Sequence, residues 1–154
     1  MAVTDDQTAA LYAEHADELI RFATGLVGPS DAPDVVSDAL VRLIGSTAWR
    51  RAENPRALMF RAVLRQSQMF HRSAARRRAR EVRSSIGEAY EMPEAQPEVA
   101  EAVSRLSPQQ RAVVFLTYWN DLDVAGIAAL LGVGEGTVRK QLDRGRSKLR
   151  EVLG

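Results

Sequence analysis

The sequence of 154 residues contains no cysteine, which excludes disulfides and thiolate-held metal. Its two histidines, His15 and His71, stand too far apart in sequence to suggest a shared site. There is no phosphate-binding glycine loop and no His/Asp/Ser cluster, so no enzyme class is supported, and no catalytic residue, metal or cofactor is expected. No run of about 18 apolar residues is present, so membrane insertion is not expected. Asp5 and Asp6, close to the start, are unlike a secretory signal, and a cytoplasmic protein is the natural reading. Strand patterns are missing too, which leaves an all-α chain.

What is present is charge, sorted into blocks beneath a net charge of +1. Between Met1 and Leu40, eight acids stand against Arg21 alone. From Val41 to Arg83, twelve arginines stand against Glu53 and Glu81, and from Ser84 to Ser104 five glutamates have no base among them. Such segregation suggests separate surfaces for separate partners.

The most informative stretch runs from Asp121 to Glu151. Asp123 suits the N-cap of a helix whose Val124, Ile127, Ala128 and Leu131 repeat at helical spacing. Gly132-Val133-Gly134 then supplies a tight turn with glycine where a left-handed conformation is needed. From Glu135 a second helix turns Val138, Leu142, Gly145, Leu149 and Val152 inward, at about 100° per residue. Gly136, Lys140, Asp143, Arg144 and Ser147 fall on the opposite face, with Arg139, Arg146 and Arg150 on one flank and Lys148 on the other. Six cations against Asp143 between Val138 and Arg150 fit a helix-turn-helix whose second helix enters the major groove. A solvated amphipathic helix in a bundle is the plainer alternative, but the glycine turn and the charge bias count against it.

The N-terminal part reads as three helices. The first spans residues 7 to 27, with Leu11, Tyr12, His15, Leu19, Phe22, Ala23 and Leu26 inward and Gly28-Pro29 as its stop; His15 reads as a packed histidine at the core's edge. The second, capped by Ser30 or Asp31, turns Val35, Val36, Ala39, Leu40, Leu43 and Ile44 inward. Asp34 and Asp38 share another face of it, either as acids suited to a helix N-terminus or as a binding feature. Asn54-Pro55 starts a third helix, expected to reach about Arg83. Opposite its inner Phe60, Val63, Phe70 and Ala74 lies a stripe of Arg61, Arg65, Arg72, Arg76, Arg80 and Arg83, with Gln68 and Met69 in the gap. Like charges four apart repel, so a polyanionic partner is implied. Residues 84–97, acidic with two prolines, predict a flexible linker. The expected organisation is therefore two small helical domains, 1–83 and 98–154, each with its own core, the second opening with helices at Val99–Arg105 and after Ser107-Pro108.

At this point the residues resemble a known family. LSPQQRAVVFLTYWNDLDVAGIAALLGVGEGTVRKQLDRGRSKLRE is similar to region 4, the promoter-binding domain of extracytoplasmic-function (ECF) sigma factors of bacterial RNA polymerase. DAPDVVSDALVRL resembles the region 2 signature around the polymerase-binding helix, and NPRALMFRAVLRQ with RSAARRRARE resembles the promoter-melting helix and basic tail. The resemblance implies an initiation subunit that binds core RNA polymerase, at its clamp helices and flap, and promoter DNA, with an anti-sigma factor as a further candidate partner. Asp34, Val35 and Asp38 match polymerase-docking positions. Gly136, Thr137, Arg139, Lys140, Arg144, Ser147 and Lys148 would meet the upstream promoter element. Arg61, Arg65, Gln66, Met69, Arg72, Arg76 and Arg80 would meet the downstream, melted element and its flank. The family usually has a tryptophan-leucine pair near Met59-Phe60, an asparagine near Gln66, often an aspartate near Phe70, glutamine at Ser37 and tryptophan at Ile44, so an atypical melting surface is expected. Gly145 replaces a common alanine, at a cost of about 1 kcal/mol in a helix interior. Two other readings are a LuxR-type helix-turn-helix regulator and a sigma-like protein that binds DNA without melting it.

Overall fold

The computed structural model describes residues 3–80 and 97–153. Among these residues the chain forms eight helices: α1 (Asp5–Val27), α2 (Ala32–Ile44), α3 (Thr47–Arg50), α4 (Pro55–Arg80), α5 (Pro97–Ser104), α6 (Pro108–Tyr118), α7 (Val124–Leu131) and α8 (Glu135–Leu153). The expected linker, Pro97 apart, and Arg83 lie outside the described residues.

Several boundaries have a local cause. Thr4 and Gln7 form a reciprocal capping box at the start of α1, with both side chains bonded to the other's backbone N–H. Gly28, at φ 88°, ends the helix, as a residue without Cβ can. Asp31 precedes α2, but its side chain makes no capping bond. Asn54 Oδ1 accepts from the Ala57 N–H at 3.1 Å and so caps α4. Ser107 and Gln110 repeat the capping box at α6.

The first domain, α1 to α4, buries Leu19, Phe22, Leu26, Val36, Met59, Phe60 and Val63 almost completely. Two expected inward residues are exposed. Tyr12 is 42% exposed, one position beyond Leu11, which is the residue of that turn packed against the core. Ile44, at the edge of its stripe and at the last position of α2, is 39% exposed. The short helix α3 was not foreseen. Ser46 caps it, and it buries Trp49, whose Nε1–H donates to Thr8 Oγ1 at 2.9 Å. An indole buried in this way needs such a partner.

The expectation of two separate cores is corrected by the packing. The buried side chains of both domains form one continuous cluster. Phe22 of α1 lies 5.0 Å from Phe60 of α4 and 6.0 Å from Phe115 of α6, ring centre to ring centre. It therefore serves both domains at once. Fully burying such a ring is worth roughly 1.5–3 kcal/mol, more than an exposed inter-domain ion pair would supply. The sequence signal for a domain boundary lay in the linker composition, which carries no information on whether the domains it joins also pack together.

Candidate nucleic-acid and polymerase interface

In the second domain, Asp123 accepts from the Gly126 N–H at 2.7 Å and starts α7. Gly132, at φ 70° and ψ 35°, closes α7 in the left-handed conformation, as the glycine turn predicts. Helix α8 then leaves the turn with Val138, Leu142 and Gly145 buried against the domain. Gly136, Thr137, Arg139, Lys140, Arg144, Ser147 and Lys148 are all exposed. The α8 contacts sort these cations. Lys148 Nζ donates to Gln110 Oε1 at 3.1 Å, and Arg146 Nε donates to the Tyr118 hydroxyl at 2.9 Å with its guanidinium 5.8 Å from the ring centre. Arg139 meets Glu135 at 3.4 Å across one turn, an exposed pair of little worth. Lys140 and Arg144 form no hydrogen bond or ion pair among the described residues, and their positions four apart put both on the outer face. That geometry leaves their donors available for a groove.

Helix α4 carries the second cationic surface. Arg65, Arg72 and Arg76 are exposed, while Gln66 and Met69 are half-buried and Arg80 is the last residue of the helix. An Arg42 Nη1 donor lies 3.3 Å from the Met69 sulfur, which holds α2 against α4 at this level. Arg61 departs from the expected stripe. It turns toward the second domain, donating from Nε to the Leu130 carbonyl at 3.1 Å and from Nη2 to the Ala129 carbonyl at 2.9 Å.

On α2, Asp34 and Asp38 are exposed on one face, together with Ser37 and with Val41 at 73% exposure. Val35 is 4% exposed and belongs to the core; of the three positions matched to polymerase docking, the two acids are the ones that face outward. His15 is a packed histidine at the core's edge, its Nδ1 2.7 Å from Glu18 Oε1. Glu18 also takes two bonds from Arg56, at 2.8 and 3.1 Å, which tie α1 to the start of α4. Burial works to raise the Glu18 carboxyl, but the bonds and charge of Arg56, then those of His15, outweigh it and hold the group below the ordinary glutamate range.

Two contributors had no signal in the sequence. Arg111 of α6 is 5% exposed, and its Nη1 donates to the Leu26 carbonyl at the end of α1 at 2.7 Å. His71 of α4 places Nε2 2.7 Å from the same carbonyl, an approach that suits a donating Nε2–H. No metal-binding group of three or more His, Cys, Asp or Glu occurs among the described residues, and no helix there is long and apolar enough to cross a membrane.

Comparison with known proteins follows the same division. Residues 11–77 match Sigma-70 region 2, and residues 97–149 match Sigma-70, region 4. The chain is 34% identical over 161 residues to the ECF RNA polymerase sigma factor SigL of Mycobacterium tuberculosis, covering 94% of this chain and 87% of the relative. It is 32% identical over 147 residues to the RNA polymerase sigma-E factor of Streptomyces coelicolor, covering 89% and 80%. Its fold is similar to sigma factor RpoE of Bartonella quintana, solved with the anti-sigma factor NepR (TM-score 0.65, 24% identity, 94% of this chain and 95% of that one). It is also similar to CnrH, solved with the cytosolic domain of CnrY (TM-score 0.61, 26% identity, 97% and 89%). A region 2 match across the N-terminal half sets aside the LuxR-type reading, and the combination of regions places the chain in a family without catalytic activity. The chain belongs to the ECF sigma factors of the sigma-70 family, with regions 2 and 4, and is an RNA polymerase sigma factor for transcription initiation.

Proposed function

We propose that this sigma factor docks on core RNA polymerase through Asp34 and Asp38 of α2, reads an upstream promoter element with α8 and meets the melted downstream element with α4. The observation that carries the reading is the outer face of α8, where Lys140 and Arg144 stand unpaired among the described residues, one and two turns beyond Gly136. Gly136 has nothing within 4 Å of where a Cβ would stand, so a phosphate can approach the backbone N–H groups and the positive end of the helix dipole. Arg or Lys donors at that depth suit guanine edges, and the flanking Arg139, Ser147 and Lys148 suit phosphates. On α2, exposed Val41 beside the acids adds an apolar contact to a charged one, which fits a protein surface better than a solvated face. The clamp helices are the expected site for α2 and the flap for region 4, both in the cytoplasm where the polymerase works. An anti-sigma factor is a further partner, a reading supported by the likeness to RpoE, which was solved with one.

The deciding experiment is run-off transcription with core polymerase on duplex templates and on templates mismatched around the start site. Transcripts from both support the full reading. Transcripts from the mismatched template alone support a sigma factor that melts poorly, the reading favoured by a partly buried Met69 held by Arg42 where an extruded base would need a stacking surface. No transcript from either template, with intact DNA binding, would overturn the polymerase-docking role.

A further inference from the structure

We propose that Met69 of α4 is a reversible oxidation site, that Arg42 of α2 receives the sulfoxide oxygen, and that the oxidised chain binds unpaired strands more weakly. The last clause rests on the reading of α4 as a DNA-contacting helix.

The chain offers an oxidant no thiol, so its four methionine thioethers are its most readily oxidised sulfurs. Met59 and Met69 lie among the described residues, and packing separates them. Met59 is 1% exposed within the core. Met69 is half-buried, with exposed Arg65 one turn before it and exposed Arg72 one turn after it on the same face of α4. Its sulfur lies 3.3 Å from Arg42 Nη1, a donor that reaches it from α2. A thioether is a weak acceptor for so strong a donor.

This arrangement suits transfer of an oxygen atom from a two-electron oxidant such as hydrogen peroxide. A sulfur lone pair attacks one peroxide oxygen, and the O–O bond breaks with its electron pair leaving on hydroxide. The proton on the sulfur-bound oxygen passes to that hydroxide, which gives sulfoxide and water. Sulfur loses two electrons and the peroxide gains them. Arg42 keeps its own protons throughout; it donates a hydrogen bond first to the departing hydroxide and then to the new oxygen. The guanidinium thereby exchanges a weak partner for a charge-assisted bond. The same step turns a flexible apolar side chain into a polar one. Between Arg65 and Arg72, an apolar Met69 gives a base something to lie against while the two cations meet phosphates. A sulfoxide turned toward Arg42 does not.

The test uses the full chain with hydrogen peroxide as the oxidant. Peptide mass spectrometry follows both sulfurs, and Met69 should gain oxygen about tenfold faster than Met59 or more, in line with its exposure. Equal rates overturn the site. Urea midpoints before and after treatment read the partner: oxidation should leave the parent unchanged or stabilised and should destabilise Arg42→Ala. Equal shifts in the two overturn the role of Arg42. Binding of a fluorescent, mixed-sequence single-stranded oligonucleotide is measured on the same samples. It should fall about fivefold in the oxidised parent, the lower end of what one stacked base contributes. Methionine sulfoxide reductases A and B should restore it. Met69→Leu has no sulfur at this position and should bind the strand equally before and after peroxide. A loss that persists in Met69→Leu overturns the proposal, because it comes from another sulfur. Unchanged strand binding by the oxidised parent overturns the last clause, and Arg65→Ala then locates the failure. Weakened strand binding in Arg65→Ala keeps α4 as a nucleic-acid face and assigns the failure to Met69; no effect there assigns it to the reading of α4.

Discussion

Gly145 of α8 lies so close to Val114 of α6 that a Cβ on the glycine would stand 2.9 Å from the Val114 Cγ2 atom. The glycine, costly by helix propensity, is the residue that lets these two helices meet at this distance. Gly145→Ala therefore sets a propensity gain of about 1 kcal/mol against overpacking of about 1–3 kcal/mol. Val114 is β-branched and cannot swing aside cheaply. The expected net is a loss of about 1 kcal/mol, read from urea unfolding. Adding Val114→Ala should show favourable coupling with Gly145→Ala in a double-mutant cycle. A stabilised Gly145→Ala single variant would show that α6 and α8 separate more easily than the packing implies.

On the recognition helix, Lys140→Ala or Arg144→Ala should relax base preference within the upstream element, by about 1–3 kcal/mol of discrimination for a donor to guanine. Arg150, further along α8 and bonded at 3.4 Å to the Arg146 carbonyl, should act on phosphate alone. Arg150→Ala should then weaken all sequences alike and lower the salt slope by about one. Binding to single-base promoter variants at two salt concentrations separates the two kinds of contact. Altered base preference in Arg150→Ala, with none in the other two, would mean that α8 lies in the groove the other way round.

Asp34→Lys or Asp38→Lys should reduce affinity for core polymerase about tenfold or more, as loss of one charged interface partner commonly does. Binding of DNA by the second domain's face should be unchanged, since α2 lies in the other domain. Titration of labelled core enzyme measures the first effect and promoter-fragment binding the second. Unaltered core affinity in both variants would reduce the two acids to helix-terminus charges.

The Glu18–Arg56 pair gives a pH signature. The Glu18 carboxyl is held below its ordinary range in the folded chain, so its contribution is fully present above the unfolded-state value of about 4.3 and is lost as pH falls through the folded value. Arg56→Ala should therefore be less stable than the parent at neutral pH, with the gap narrowing between about pH 5 and pH 3. Denaturant midpoints at stepped pH follow it. A gap that stays constant would point to lost packing of the guanidinium, 5.0 Å from the centre of the Phe60 ring.

Legibility in the sequence followed the range of the interactions. Helix-turn-helix boundaries were readable because Asp123, Gly132 and the spacing of Val138 and Leu142 act within a few residues of themselves. The outer positions of Lys140 and Arg144, and the buried edge position of His15, came from the same periodicity. The α3 helix was missed because its four residues are too few for a period to appear, and Trp49 finds its partner 41 residues away. Arg61 looked like one more cation of a stripe, since nothing near it in the chain indicates Leu130, 69 residues on. Arg111 was hidden for the same reason, with Leu26 85 residues distant. Val35 shows the limit of carrying a role by position: its side chain is directed inward by the same wheel that turns Asp34 and Asp38 outward.

Arg61 and Arg111 both end on main-chain oxygens across the domain boundary, and a main-chain oxygen is the same whatever side chain its residue bears. The receiving helix thus contributes shape and direction but no particular amino acid. A chimera in which residues 98–154 are exchanged for another region 4 should keep the Arg61 side of the junction if the incoming α7 ends in a glycine turn of the same form, even when its base preference is entirely different. The donor side must be transplanted deliberately, as must the ring that meets Phe22, since a guest lacking arginine at the position of Arg111 or an aromatic at that of Phe115 would lose a contact across the boundary. Promoter choice and inter-domain association are in this way separately exchangeable parts.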